Sequence, residues 1–168
     1  MPLPQFGADR RESPVRAAFL ASVARGQGLC SGLHPMKTTG SLDGCQVLVV
    51  EDDTDSRNAI RETLEVAGAT VSTAATAGDA LAALAARRYD VVVSDLAMPQ
   101  QSGFWLITKI RQLYPDRPIP VLAVTGHPFP ADGVRRAGFD DVMQKPPDPD
   151  TLCAKVVSLA RAHDGARS

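Results

Sequence analysis

Five residues of this chain have the types and spacing to do chemistry together: Glu51, Asp52, Asp95, Thr125 and Lys145. Each follows a short strand-like run: residues 46–50 end in Glu51-Asp52-Asp53, 90–94 in Asp95, 119–124 in Thr125, and 140–144 in Lys145-Pro146. Alone, Asp95 reads as a turn residue that ends a strand before Met98-Pro99. The matching residues behind three other runs decide for chemistry. Three carboxylates close together repel, and their pKa values rise unless a cation sits among them. Hard oxygen ligands with room for water suit Mg2+, which takes one or two carboxylates plus phosphate oxygens. Thr125 offers a hydroxyl and Lys145 a compact positive charge, both suited to phosphoryl oxygens. Aspartate is a covalent phosphoryl acceptor. The set predicts a site that takes a phosphoryl group on one Asp while a metal and Lys145 neutralise the transferring charge.

Such a site needs elements that bring the run ends to one edge. An unbroken Val91-Val92-Val93 series fits a strand buried on both faces, as in a parallel sheet covered by helices. Strands are expected at 46–50, 70–74, 90–94, 119–124 and 140–144. The first helix opens on Asp53 or Thr54, carries Ala59, Ile60, Leu64 and Ala67 inward, and stops at Gly68. The second is expected over 79–88 with Leu81 and Leu84 inward. Ser102 caps the third, in which Phe104, Ile107, Ile110 and Leu113 pack, with Pro115 beyond its end. Pro128, Pro130 and Gly133 restrict the fourth to about 131–137. Asp148-Pro149 opens the last, which carries Leu152, Val156 and Leu159. Five strands alternating with five helices predict a doubly wound α/β fold whose strand carboxyl ends share one crevice.

The 168 residues suit one domain with some length to spare, since single domains cluster at about 100–150 residues. A net charge of −1 gives no support for a nucleic-acid or membrane-surface partner. No apolar run approaches the roughly 18 residues of a spanning helix. Cys30, Cys45 and Cys153 are scattered, without metal-ligand spacing, which fits a reducing cytoplasm. Residues 1–42 are rich in Pro, Gly, Ser and Arg and read as a disordered extension. The alternatives are a docking helix opened by Ser13-Pro14, with Val15, Phe19 and Val23 on one face, and a translation start at Met36. Residues 43–163 form the expected domain. Arg161 to Ser168 are expected as a frayed tail, with the tail proper at 164–168.

The chain resembles the receiver domain of two-component response regulators. The resemblance rests on Val-Leu-Val-Val-Glu51-Asp52-Asp53, on Val-Ser-Asp95-Leu-Ala-Met-Pro99 followed by Gly103, on Val-Leu-Ala-Val-Thr125-Gly126, and on Gln-Lys145-Pro146. It covers about residues 45–162 and implies a flavodoxin-like (βα)5 sheet with strand order 2-1-3-4-5. It implies phosphorylation of Asp95 by a sensor histidine kinase or a histidine phosphotransfer protein. It implies Mg2+ held by Asp52 and Asp95 directly, Glu51 through water, and the backbone carbonyl of Ala97. Thr125 and Lys145 contact the phosphoryl group, and the Lys145–Pro146 bond is cis. The resemblance also implies that Ala97 and His127, each two residues beyond Asp95 or Thr125, border the path of the hydrolytic water and tune the phosphoryl lifetime, the alternative for His127 being a solvated loop residue.

In the family, phosphorylation draws the Thr hydroxyl inward and an aromatic on the fifth strand follows, reshaping the face of helix 4, strand 5 and helix 5. Here Val142 holds that position, so the expected change is muted or rerouted, with Phe139 or Phe129 as substitutes. Phosphorylation-linked pairing through this face is expected, and Arg135, Arg136, Lys155 and Arg161 are candidate partner contacts against a default of solvated charge. Trp105 is expected to pack in the core. Because the chain ends soon after the fifth helix, it is expected to act as a stand-alone receiver that binds an unknown downstream protein or passes the phosphoryl group on. Two rivals are a phosphate-independent scaffold and a small Mg2+-dependent phosphatase of the haloacid dehalogenase type. The signature of the latter, Asp-x-Asp, is matched only by Asp53-Thr54-Asp55, two residues late.

Overall fold

The computed structural model describes residues 41–165. The Ser13-Pro14 helix, Met36, Cys30 and the last three residues lie outside them. The order is β1 (Gln46–Val50), α1 (Thr54–Val66), β2 (Thr70–Ala74), α2 (Ala77–Ala86), β3 (Val91–Asp95), α3 (Gly103–Leu113), β4 (Val121–Thr125), α4 (Ala131–Arg136), β5 (Asp141–Gln144) and α5 (Pro149–Gly165). All strand pairs are parallel, in the order β2-β1-β3-β4-β5. This is the predicted doubly wound fold, and the strand order reverses between β1 and β3, where such sheets open a crevice.

Alternate residues of each strand feed two cores. Leu48, Val50, Val92, Val121 and Ala123 pack with α2, α3 and Val134 of α4. Val47, Val49, Val91, Val93, Leu122 and Val124 pack on the other face with Ile60 and Leu64 of α1 and Leu152 and Val156 of α5. The Val series of β3 is therefore buried from both sides, as its composition required.

Several boundaries differ from expectation for physical reasons. Helix α2 begins at Ala77 rather than Asp79, because Thr76 is the N-cap: its Oγ1 accepts from Asp79 N at 3.0 Å and donates to Asp79 Oδ2 at 2.8 Å. The helix also ends at Ala86, short of Arg88, with Leu84 buried and Leu81 half-buried. Strands β3, β4 and β5 begin one or two residues late. Asp90 and Asp140 use their carboxylates instead, accepting from Gln46 N at 2.8 Å and Val121 N at 2.7 Å. Leu113 is 59% exposed, while Leu106 is fully buried and Tyr114 supplies the contact at the helix end. Trp105 is half-buried against the core, with Lys109 Nζ 5.8 Å from its ring centre. Residues 161–165, expected to fray, continue α5, and His163 is buried. No described helix is long and apolar enough to cross a membrane.

Candidate functional site

β1, β3, β4 and β5 end on the same edge, because they are parallel and in register there. Glu51 follows β1 directly, and its N–H donates to Ala74 O at 3.1 Å, which fixes the backbone as it leaves the sheet. Asp95 is the last residue of β3. Its loop returns tightly: Gly103 N donates to Leu96 O at 3.1 Å, and a Cβ at Gly103 would lie 2.2 Å from the Asp95 carbonyl oxygen. Only a residue without a side chain fits there.

The Asp95 carboxylate is almost buried and held at both oxygens. Oδ1 accepts from Ala97 N at 3.1 Å, and Oδ2 lies 2.9 Å from Lys145 Nζ. The same ammonium lies 2.6 Å from Oε2 of Glu51, whose side chain is 1% exposed. The other oxygen of Glu51, Oε1, is buried, and among the described residues no side chain donates to it. Asp52 projects to solvent, yet Glu51, Asp52 and Asp95 each place a carboxylate oxygen within 4.8 Å of the others.

Ionised, these three carboxylates outnumber the single ammonium among them. Burial pushes the Glu51 carboxyl above its ordinary range, the Asp95 charge adds to the rise, and Lys145 opposes it. For Lys145, burial alone would lower the pKa. The bonds and charges of Glu51 and Asp95 outweigh it, so the ammonium is held above its usual value. An oxygen-only donor set, a net negative charge and a buried carboxylate oxygen to which no described side chain donates together fit a hard divalent cation such as Mg2+.

Thr125 ends β4 and is buried. Its Oγ1 accepts from His127 N at 3.1 Å and donates to His127 O at 3.3 Å, so the hydroxyl is engaged by its own loop rather than by Asp95. His127 and Ala97 are exposed at the rim. Lys145 N donates to Thr125 O at 2.9 Å, and the Lys145–Pro146 bond is cis. The structure therefore gathers Glu51, Asp52, Asp95 and Lys145 into one cluster and places Thr125 and His127 on the adjoining loop.

Asp53 stands apart from that cluster. It caps α1, its Oδ1 accepting from Ser56 N at 2.8 Å, and this bond lowers its pKa. The partial Asp-x-Asp match of the phosphatase rival is thus occupied in helix capping. On the far side, Val142 is half-buried against the α3–α4 core. The aromatics lie elsewhere: Phe104 meets Phe129 edge-on at 5.6 Å and Phe139 at 5.9 Å.

Sequence reasoning passed over two groups. Arg57 on α1 donates through Nη1 to the carbonyl oxygens of Glu51 (2.6 Å) and Asp52 (3.1 Å), and through Nη2 to Thr54 Oγ1 at 3.2 Å. Its signal was an arginine in the first turn of a helix that follows directly on an acidic pair. Asp141 on β5 pairs with Lys155 of α5 and, at 3.3 Å, with Arg135 of α4. Two of the candidate partner contacts are thereby engaged within the molecule.

Residues 47–157 match the family model of the response regulator receiver domain. The chain is 39% identical over 116 residues to an uncharacterised 14.6 kDa protein from the sodA1 3′ region of Leptolyngbya boryana, covering 68% of this chain and 86% of that protein. It is 40% identical over 124 residues to DctD of Rhizobium meliloti (strain 1021), a C4-dicarboxylate transport transcriptional regulatory protein, covering 72% of this chain but only 26% of DctD. Among solved structures, the receiver domain protein of Methanospirillum hungatei JF-1 superposes with a TM-score of 0.67 at 28% identity, over 73% of this chain and 98% of that one. The Vibrio cholerae chemotaxis protein CheY4 does so with a TM-score of 0.64 at 31% identity, over 68% and 98%.

Proposed function

The chain belongs to the response regulator receiver domain family of two-component signalling, and on that premise we propose that Asp95 is its phosphoryl acceptor. The observation that carries this reading is the setting of one carboxylate. Asp95 is almost buried at a strand end, one oxygen on Lys145 and the other on a backbone N–H, beside two further carboxylates. A structural Asp at a turn needs none of that company.

The phosphodonor is a sensor histidine kinase or a histidine phosphotransfer protein. An Asp95 oxygen attacks the donor phosphorus, the phosphorus–nitrogen bond breaks, and its electron pair leaves on the imidazole, which takes up a proton. Asp52, Asp95, Glu51 and the Ala97 carbonyl would hold Mg2+, which when bound neutralises the phosphoryl oxygens as they transfer. Lys145 stays an ammonium throughout and serves the new acyl phosphate as counter-ion. Thr125 exchanges its bond to His127 for one to a phosphoryl oxygen, and the β4–α4 loop moves with it. Ala97 leaves the water path to the acyl phosphate open, while the His127 imidazole stands at its edge and tunes the lifetime.

The chemistry is stoichiometric transfer rather than turnover. The signalling unit spans residues 43–163, works in the cytoplasm, and reads out through a downstream protein or by passing the phosphoryl group on. With Val142 in place of an aromatic and α4 only six residues long, the change on the α4–β5–α5 face is muted or rerouted through Phe139 or Phe129, both of which meet Phe104 edge-on. Any phosphorylation-linked pairing of copies uses that face. The assignment is tested by incubating the protein with acetyl phosphate and Mg2+, reducing with borohydride and mapping peptides. Reduction at Asp95 is expected, and modification at another carboxylate would overturn it.

A further inference from the structure

We propose that Arg57 is a positioning residue for the cation site, holding the backbone on which Glu51 and Asp52 stand; the proposal rests on the reading of that acidic cluster as a Mg2+ site. The register of β1 with its neighbours ends at Val50, so the carbonyls of Glu51 and Asp52 lie beyond the sheet's ladder. Both are bound by one Arg57 nitrogen, at 2.6 and 3.1 Å. The second nitrogen reaches Thr54 Oγ1 at 3.2 Å. A single planar, charged fork thus spans the junction from strand end to helix start, a task its fixed geometry suits and a flexible ammonium does not.

The need for such a clamp is specific to Asp52. Glu51 is buried and Asp95 is held at both oxygens, whereas Asp52 is exposed, and among the described residues no side chain bonds its carboxylate. Its orientation toward the other two carboxylates depends on its backbone alone. Groups that orient metal ligands without touching the metal commonly change affinity by about 10- to 100-fold when removed.

The sign of the effect separates positioning from charge. Arg57 is a cation beside a cation site, so loss of its charge alone would tighten Mg2+ binding, while loss of positioning weakens it. Magnesium binding to the whole chain, measured by isothermal titration calorimetry on the wild type, Arg57→Ala, Arg57→Lys and Arg61→Ala, decides between them. Arg61→Ala removes a charge one turn further along the same helix. The expected result is a Kd about tenfold higher for Arg57→Ala, a smaller loss for Arg57→Lys, and no weakening for Arg61→Ala. Thermal melting without metal shows whether each variant folds, and if Arg57→Ala does not fold, Arg57→Lys alone decides. Unchanged or tighter binding in the folded Arg57 variants would overturn the proposal. A wild type that binds no Mg2+ would instead overturn the cation-site reading beneath it.

Discussion

Gly103 and Asp95 touch through their backbones: a Cβ built on Gly103 falls 2.2 Å from Asp95 O, 2.9 Å from Leu96 Cα and 3.1 Å from Asp95 C. No flexible side-chain end is available to move aside, so the first turn of α3 and the end of β3 must shift together. Gly103→Ala is therefore expected to destabilise the protein by about 1–3 kcal/mol, the usual range for overpacking. Because the shift displaces Asp95, phosphorylation by acetyl phosphate should slow as well. Urea unfolding and a labelling time course check the two effects. A variant as stable and as fast as the wild type would show that the approach is relieved elsewhere.

Lys145 bridges Glu51 and Asp95, and its removal leaves two buried carboxylates facing each other. Lys145→Met is expected to lower stability at pH 7, by about 1–3 kcal/mol once the ammonium's partial exposure is discounted from the cost of breaking a buried pair. The loss should shrink toward acid pH, as the carboxylates protonate and repulsion ends. Mg2+ should restore part of the lost stability, since a cation then replaces the missing charge. Melting temperatures with and without Mg2+ at two pH values test both statements.

The Asp141 carboxylate resists burial by bonding Lys155, with Arg135 adding a weaker contact, and its pKa is lowered from the ordinary 3.8. A lowered carboxylate pKa contributes stability that is present above pH 3.8 and is lost as pH falls through the lower, folded value. Asp141→Asn is expected to cost about 0.5 kcal/mol at pH 7 and nothing once the wild-type carboxylate is protonated. Urea titrations at pH 7 and near the acid limit of folding provide the comparison.

Cys153 lies in the core between α5 and the sheet, and burial pushes its thiol up to about 11, with Asp150 and Asp148 adding to the rise. At neutral pH it is almost wholly protonated and shielded, so it should react with a thiol-specific disulfide reagent only through unfolding. Labelling of native protein followed by peptide mapping should find Cys153 unmodified until denaturant is added.

What could be read from the residues was whatever local pattern decides. Apolar runs rich in Val and Leu marked β1, β3 and β4, the shorter patterns at 70–74 and 140–144 marked the other two strands, and polar residues behind four of the five gave the site. Helix stops were legible where Gly68 and Pro115 mark them. Misplacements arose where a side chain does a backbone's work. Asp90 and Asp140 satisfy neighbouring strands' N–H groups and delay β3 and β5, while Thr76 captures Asp79 and starts α2 early. The Arg57 clamp and the pairing of Asp141 with Lys155 were not legible, because each joins groups whose directions are set only after folding. The Thr125 hydroxyl, expected to move inward on phosphorylation, here bonds the backbone of His127, a partner that sequence does not show.

Asp95 is proposed to take a phosphoryl group with the help of Mg2+. Intact mass after incubation with acetyl phosphate and Mg2+, beside Asp95→Ala and a chelated sample, tests it most directly. One added phosphoryl group in the wild type, absent from both controls, is the predicted result. Equal modification of Asp95→Ala, or a wild type labelled as fully in the chelated sample as with Mg2+, would contradict it.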